Sequence, residues 1–312
     1  NILSQVRKNQ IGVTFDSLSY NYNIQNGNKV QNRLYVVHDT ISSSVMADDI
    51  DNQAVFNNNQ VFINKKNNYS YDQIGQLVKD SAEGIATINW NTYGKITSII
   101  HRVGYHKTVG SSTVYPPDMA FAYDPAGNRI SKMVRARTAS GYDVVDSNNV
   151  TYYIRDAQGN VLSTYKETFK TTFPFPCHFP TVTASYTQNE KHIYGSSRIG
   201  TDVKQTQLIG ASFDTVNLFH NLGNKYYEMD NHLGNVLTTI SDIKLPVDTN
   251  HDNTIDRYVA NIKSSNDYSP FGAPLDGRTF SASNYRYGFN GKEKDDETFP
   301  AGNPSGWSSP AK

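Results

Sequence analysis

The stretch Tyr123-Asp124-Pro125-Ala126-Gly127-Asn128-Arg129-Ile130 decides the fold. An Asp or Asn at the head of a turn accepts a backbone N–H two residues further on. Pro125 presets φ for the second position of a type I turn. A glycine three residues after the acid takes the left-handed conformation that closes a hairpin with a bulge. Ile130, Met133 and Val134 follow as a half-buried extended flank. The unit reads as a β-hairpin whose tip is Asx-x-x-Gly.

Working outward, the same tip recurs at Asp72-Gln73-Ile74-Gly75, Asn91-Thr92-Tyr93-Gly94, Asp156-Ala157-Gln158-Gly159 and Asn231-His232-Leu233-Gly234. Asn26-Gly27-Asn28-Lys29-Val30 is a weaker sixth copy. Tyr71, Trp90 and Tyr123 stand directly before the acid; Tyr153 and Tyr227 stand slightly further back. The five glycines are 19, 33, 32 and 75 residues apart, too irregular for a fixed-pitch solenoid. Inserted loops are expected at about 108–119, 170–181 and 243–266. A helical period is nowhere sustained, and residues 42–56 are the best candidate for a short helix.

Composition agrees with an all-β chain. Of 312 residues, 37% are hydrophobic and 19% charged, below the usual globular shares of about 45–50% and about 25%. The 21 tyrosines suit half-exposed strands better than a thick helical core. The 29 basic and 29 acidic residues balance, so no basic excess argues for a nucleic-acid partner. No run of eighteen apolar residues offers a transmembrane helix. A single cysteine, Cys177, leaves no internal disulfide and no Cys-based zinc site.

The Tyr-Asp-x-x-Gly-Asn units resemble the YD repeats of the Rhs family, which covers bacterial Rhs polymorphic toxins, the shell proteins of Tc toxin complexes and the teneurins. Three further stretches resemble the Rhs core in its Bacteroidetes-like form. They are Tyr226-Tyr227-Glu228-Met229-Asp230-Asn231-His232-Leu233-Gly234-Asn235-Val236, Asp267-Tyr268-Ser269-Pro270-Phe271-Gly272 and Tyr285-Arg286-Tyr287-Gly288-Phe289-Asn290-Gly291-Lys292-Glu293. The resemblance covers roughly residues 15–295. It implies a long antiparallel sheet that spirals into a hollow shell around a polypeptide cargo, in a secreted or cell-surface protein. Toxin members continue into a self-cleavage segment and a toxin domain. Here the chain instead reads Asp295-Asp296-Glu297-Thr298-Phe299-Pro300 and a Gly/Pro/Ser-rich tail, so self-processing and toxicity are not carried over. The expected organisation is a shell segment over 1–295 and a tail over 296–312. The expected role is structural and non-enzymatic, as part of a toxin-encapsulating or delivery protein whose partners are its cargo and other shell or secretion components. The alternative is an adhesion or carbohydrate-binding module.

One constellation points to a metal. Asp248, Asn250, Asp252 and Asp256 occupy positions 1, 3, 5 and 9 of a calcium-loop spacing, and Thr254 at position 7 would offer its carbonyl. Two positions depart from that pattern: Asn253 replaces the usual glycine and Val259 the closing carboxylate. A bound calcium would order the loop rather than catalyse, and with only three carboxylates its affinity would be weak. The bland reading is an acidic surface turn. A hydrolase reading finds no support: Gly195-Ser196-Ser197 lacks the second glycine of a nucleophile elbow, and Cys177-His178 lacks a positioned base and orienting group. His101, His106 and His232 read as surface or packing residues. Asp48-Asp49 and Asp295-Asp296 read as solvated acid pairs. The tyrosines read mainly as cross-strand structure, with an aromatic glycan surface as the alternative.

Overall fold

A computed structural model describes residues 2–9, 11–25, 28–41, 53, 55–56, 60–61, 68–109, 111–142, 148–172, 181–209, 221–270, 272–281 and 285–294. Among these residues the regular structure is β, apart from one turn of 3-10 helix at Phe289–Gly291. Three strands, β1 (Ser4–Lys8), β2 (Thr14–Gln25) and β3 (Asn28–Asp39), form an antiparallel sheet in sequence order. The main body follows. Its strands are β4 (Tyr69–Tyr71), β5 (Leu77–Asp80), β6 (Ile85–Trp90), β7 (Ile96–His101), β8 (Asp118–Tyr123), β9 (Arg129–Arg135) and β10 (Asn149–Arg155). Next come β11 (Val161–Thr172), β12 (Thr181–Tyr194), β13 (Arg198–Asp202), β14 (Thr206–Ile209), β15 (Lys225–Asp230), β16 (Val236–Val247), β17 (Arg257–Tyr268) and β18 (Pro274–Ser281). They make one 15-stranded antiparallel sheet in which strands lie side by side in chain order. The one departure is at β12, whose free edge is shared end to end by β13 and β14. Strongly twisted open sheets of more than about ten strands curl, split or flatten.

The turns follow the sequence reading. In each of the five predicted copies the glycine has positive φ and its N–H donates to the Asx carbonyl, while the Asx N–H donates to the carbonyl four residues on. The Asx side chain accepts the N–H four residues on in every copy, as at Gln76, Lys95, Asn128, Asn160 and Asn235. Two further turns have the same bonds. Asn9 accepts Ile11 and Val13 N–H around Gly12, and Ser269 accepts Ala273 N–H around Gly272, a hydroxyl replacing the amide or acid. The weak copy at 26–30 falls partly outside the described residues.

Each hairpin also carries a bulge one residue into its second strand. The register skips Val78, Thr97, Ile130, Leu162 and Leu237, always six residues after the Asx. A bulge disrupts the ladder and increases local twist, so carbonyls beside it need other donors. The residue before the next turn supplies them. Trp90 Nε1–H donates to Leu77 O (2.8 Å), Tyr123 Oη–H to Ile96 O (2.8 Å) and Tyr194 Oη–H to Val161 O (3.0 Å). Before Asp156 the residue is Arg155, and its Nε–H donates to Arg129 O (3.0 Å). Tyr71 does the same for Leu34 O, tying β4 to β3, and Tyr268 for Val236 O. At the opposite rim Arg102 donates to Ser81 O, Arg137 to Arg102 O and Tyr105 to Ala82 O.

The loop expectations are corrected in part. Residues 243–266 are mostly strand, because Lys244–Val247 pairs with Arg257–Ala260 and only 248–256 is turn. Within 108–119 a small hairpin pairs Lys107–Val109 with Ser112–Val114. Around 170–181 the strands run to Thr172 and resume at Thr181, already paired to each other. Most of the helix candidate at 42–56, and the tail 296–312, lie outside the described residues. No helix among the described residues is long and apolar enough to cross a membrane.

Two substitutions test this construction by chemical denaturation. Tyr123→Phe removes one inter-hairpin donor and leaves Ile96 O unpaired, an expected loss of about 1 kcal/mol. Gly127→Ala places a Cβ at φ +83 and is expected to cost about 1 kcal/mol or more. Acid should weaken the same turns. The Asn128 and Asn160 side-chain amides, with backbone N–H groups, hold the Asp124 and Asp156 carboxyls below their ordinary range. Their contribution is therefore full above about pH 4 and fades as pH falls below it.

Candidate functional site

The described residues hold one concentrated patch of buried charge, beneath residues 285–294. Strand alternation builds it. Glu190 and His192 lie two apart on β12 and so share a face. Glu190 pairs across to Thr164, and Thr164 to Tyr153. His192 pairs with Thr201, and Thr201 with Tyr226. Glu228 pairs with Thr239 and Thr239 with Ser264. Thr164, Thr201 and Thr239 are completely buried, and Lys132 on β9 is 1% exposed.

Residues 285–294 cover these rows as a small hairpin of their own. Tyr287 bridges to Glu293, Gly288 N–H donates to Lys292 O, and Lys294 N–H to Arg286 O. Arg286 sits between two carboxylates, with Nη2 3.0 Å from Glu190 Oε2 and Nη1 2.6 Å from Glu293 Oε1. Lys132 Nζ lies 3.5 Å from Glu293, and Tyr153 Oη–H donates to its other oxygen (2.9 Å). Tyr287 Oη–H donates to Glu190 (3.0 Å) and lies 3.0 Å from His192 Nε2. Arg198 binds Glu228 (2.8 Å), stands 3.9 Å from the centre of the Tyr287 ring and donates to Gly291 O. The Tyr285 hydroxyl donates to Glu228. The backbone joins at Val236 N–H to Gly288 O and at Asn290 N–H to Asn235 Oδ1. Tyr285, Tyr287 and Val236 form a small apolar cluster with Tyr226 against it.

Electrostatics follows from this geometry. Burial pushes the Glu190 carboxyl up, but Arg286 and bonds from His192 and Arg286 outweigh it and hold it well below the carboxylate range. Burial likewise opposes Glu293, and Arg286 with Lys132 overrides it, so that carboxyl is also lowered. The Tyr285 and Tyr287 phenols are raised well above their ordinary value, first by burial and then by Glu228 and Glu190 respectively. Such groups stay neutral and donate. The arrangement can hold a chain segment in place.

The residues singled out in the sequence fare differently. Asp248 accepts the N–H groups of Asp252 (3.3 Å) and Asn253 (2.8 Å), Asp252 accepts Thr254 N–H (2.7 Å) and Asn250 Nδ2–H (3.0 Å), and Asp256 accepts Thr249 N–H (2.6 Å). His251 and Asn253 take left-handed conformations in this exposed turn. Asp248, Asn250 and Asp252 are thus brought together around the turn's own backbone, and Asp256 closes its base. Among the described residues, no group of three or more His, Cys, Asp or Glu side chains is placed to hold a metal ion. His101 is buried with its Nδ1 3.3 Å from Asp118, which Arg137 also approaches at 3.5 Å. Burial raises the Asp118 carboxyl, but bonds from the His101 ring and backbone and the Arg137 charge bring it below its ordinary value. His106 and His232 are exposed. Ser196 and Ser197 lie in an exposed bend between two strands. Cys177, His178, Asp48, Asp49, Asp295 and Asp296 lie outside the described residues. The sequence reading missed the cluster itself. Its signal was the crowding of Arg, Tyr and Glu in residues 285–293 together with the Glu190/His192 alternation.

No family model matches the chain, and no curated protein matches its sequence. Among solved structures it is similar to the complex TcdB2-TccC3-Cdc42, with TM-score 0.40 and 11% identity over 95% of this chain and 13% of that one. It is also similar to TcdB2-TccC3 without its hypervariable C-terminal region, at TM-score 0.40, 12% identity, 95% and 15% coverage. A Photorhabdus luminescens Tc holotoxin pore with mutant TccC3 aligns at TM-score 0.40, 12% identity, 91% and 11% coverage. These are coarse likenesses, and the chain spans only 11–15% of the length of those chains.

Glu190→Gln is expected to cost about 3 kcal/mol, the low end for a broken buried pair because Arg286 keeps Glu293. Both lowered carboxyls contribute stability that is complete above the ordinary Glu value of about 4.3 and lost only as pH falls through their lower folded values. Amide exchange at 285–294, corrected for its intrinsic pH dependence, should therefore show the same protection at pH 5 as at pH 8.

Proposed function

We propose that this chain is a non-enzymatic wall segment of an Rhs/YD-repeat shell, in a secreted or cell-surface protein that encloses or delivers a polypeptide cargo. The observation that carries the reading is the repeated pair of devices along one sheet. An Asx-x-x-Gly turn reverses the chain, and in four of the five copies the residue before it, Tyr71, Trp90, Tyr123 or Arg155, fastens that hairpin to the preceding one. Nothing in this pattern limits the number of hairpins, and the twist of a 15-stranded sheet supports a curved wall. The exposed tips, at Tyr93 and Leu233 for example, vary freely, as a scaffold permits.

The complete polypeptide tests this. Electron microscopy should show a hollow body, and a reporter fused after the segment should resist added protease until the wall is denatured. A filled or extended particle, or a reporter digested at once, would reject the proposal.

The calcium expectation at Asp248, Asn250, Asp252, Thr254 and Asp256 remains a separate proposal. The curled turn, with two left-handed residues, supports it. Calcium should raise the melting temperature relative to chelator, and Asp248→Ala with Asp252→Ala should abolish the difference. Equal melting curves in calcium and chelator would end it.

A further inference from the structure

We infer that residues 285–294 are a separable clasp, seated in a groove of the wall that recognises an arginine flanked by tyrosines on a β-hairpin. Three observations carry this. First, the clasp pairs with itself and not with the sheet. Its hairpin bonds are internal, and its backbone meets the wall at Val236, at Asn235 and at the Arg198 guanidinium. The strands beneath it pair with one another independently of it. Opening the clasp therefore breaks no strand pairing.

Second, the contacts that seat it are chiefly polar and charged, and come from widely separated strands. Glu190 and Glu228 supply carboxylates for a guanidinium and a phenol, Lys132 receives the clasp's own Glu293, and Tyr153 adds a hydroxyl. The groove floor combines buried hydroxyls at Thr164, Thr201, Thr239 and Ser264 with a small apolar part at Val236 and Tyr226. Such a floor stays wettable when uncovered, whereas an apolar one would have to be re-covered or aggregate. Third, the clasp lies far along the chain from its seat: Arg286 meets Glu190 across 96 residues, and Tyr153 meets Glu293 across 140.

The partner class follows from the occupant. It is a peptide hairpin bearing Tyr-Arg-Tyr on one arm and a carboxylate on the other. Glu190 takes Arg286 bidentately, through Nε and Nη2 (3.1 and 3.0 Å), a geometry lysine does not match.

The full chain carrying Arg286→Glu tests the inference, because a third carboxylate between Glu190 and Glu293 repels the clasp. Hydrogen exchange should quicken at least tenfold over 285–294 and stay unchanged over 149–172 and 181–194. A synthetic peptide of residues 285–294 should then bind this variant saturably. The same peptide with Lys at the arginine position should bind at least tenfold more weakly. Unchanged protection of 285–294 would overturn the inference. So would joint loss of protection in the wall strands, which would make the segment part of one cooperative unit. Failure of the arginine peptide to bind the opened variant would equally overturn it. Arg286→Met, which removes the charge without adding repulsion, should show a smaller quickening in the same segment alone.

Discussion

The wall depends on one hydrogen bond repeated from hairpin to hairpin: a side-chain N–H or O–H just before a turn donates to the carbonyl directly before the previous hairpin's bulge. Turn and bulge come as a pair. The Asx-x-x-Gly tip fixes where the chain reverses, and the bulge six residues after the Asx absorbs the odd residue that such a tip leaves in the register. The bulge exposes a carbonyl, and the next hairpin can supply the donor only if a long polar-tipped side chain stands directly before its own turn. This explains the pairing of an aromatic with an acid in the sequence. The acid folds its own hairpin and the aromatic binds the neighbour. It also explains why arginine can replace the ring at Arg155: the geometry asks for an N–H at the end of a long arm, and the ring is one way to deliver it.

A wall one sheet thick cannot bury a deep core, and the composition reflects this. The apolar cluster of Ile85, Ile88, Ile99 and Met119 is small, and many of the most buried residues are Thr, Ser, Lys, Asp and Glu. Burying such groups costs free energy unless each finds a partner, so the chain spends its polar residues on mutual satisfaction. Tyr152 and Tyr186 both donate to Glu167, and Thr239 meets Ser264 at 2.7 Å. Buried pairs of this kind add little net stability over an apolar packing. They specify register instead, because a one-residue slip turns every side chain to the other face. For a sheet assembled from near-identical hairpins, that discrimination has clear use.

The turns were legible because they are local. Asp124, Pro125 and Gly127 carry their instruction within four residues, and the five copies read from the sequence all form as such turns. Asn9-x-x-Gly12 obeys the same rule and was overlooked only because it stands apart from the others; Ser269 was hidden because a serine does the work of an Asx. The length of β16 and β17 was misread as loop, since Pro246 and a polar turn at 248–256 mask an alternating pair of strands. The charge cluster was illegible for a different reason. Glu190, Lys132 and Arg286 mean nothing singly, and only the order of strands in the sheet places them against one another.

Sheet order equal to chain order has a consequence for how the cluster forms. Most neighbouring strands are joined by short connections, so the wall is built of contacts close in sequence, the class that closes fastest. The clasp contacts are the opposite: Tyr153 meets Glu293 across 140 residues, and Arg286 meets Glu190 across 96. Loop-closure entropy rises only slowly with length, but these contacts need β9 through β16 already in place, because no single strand offers a complete seat for the clasp: Lys132, Tyr153, Glu190, Arg198, Glu228 and Val236 all take part. The seat of the clasp is therefore complete only when those strands are all in register. A hairpin missing or out of register anywhere between Lys132 and Val236 would displace one of the groups it requires, and the segment would find no seat.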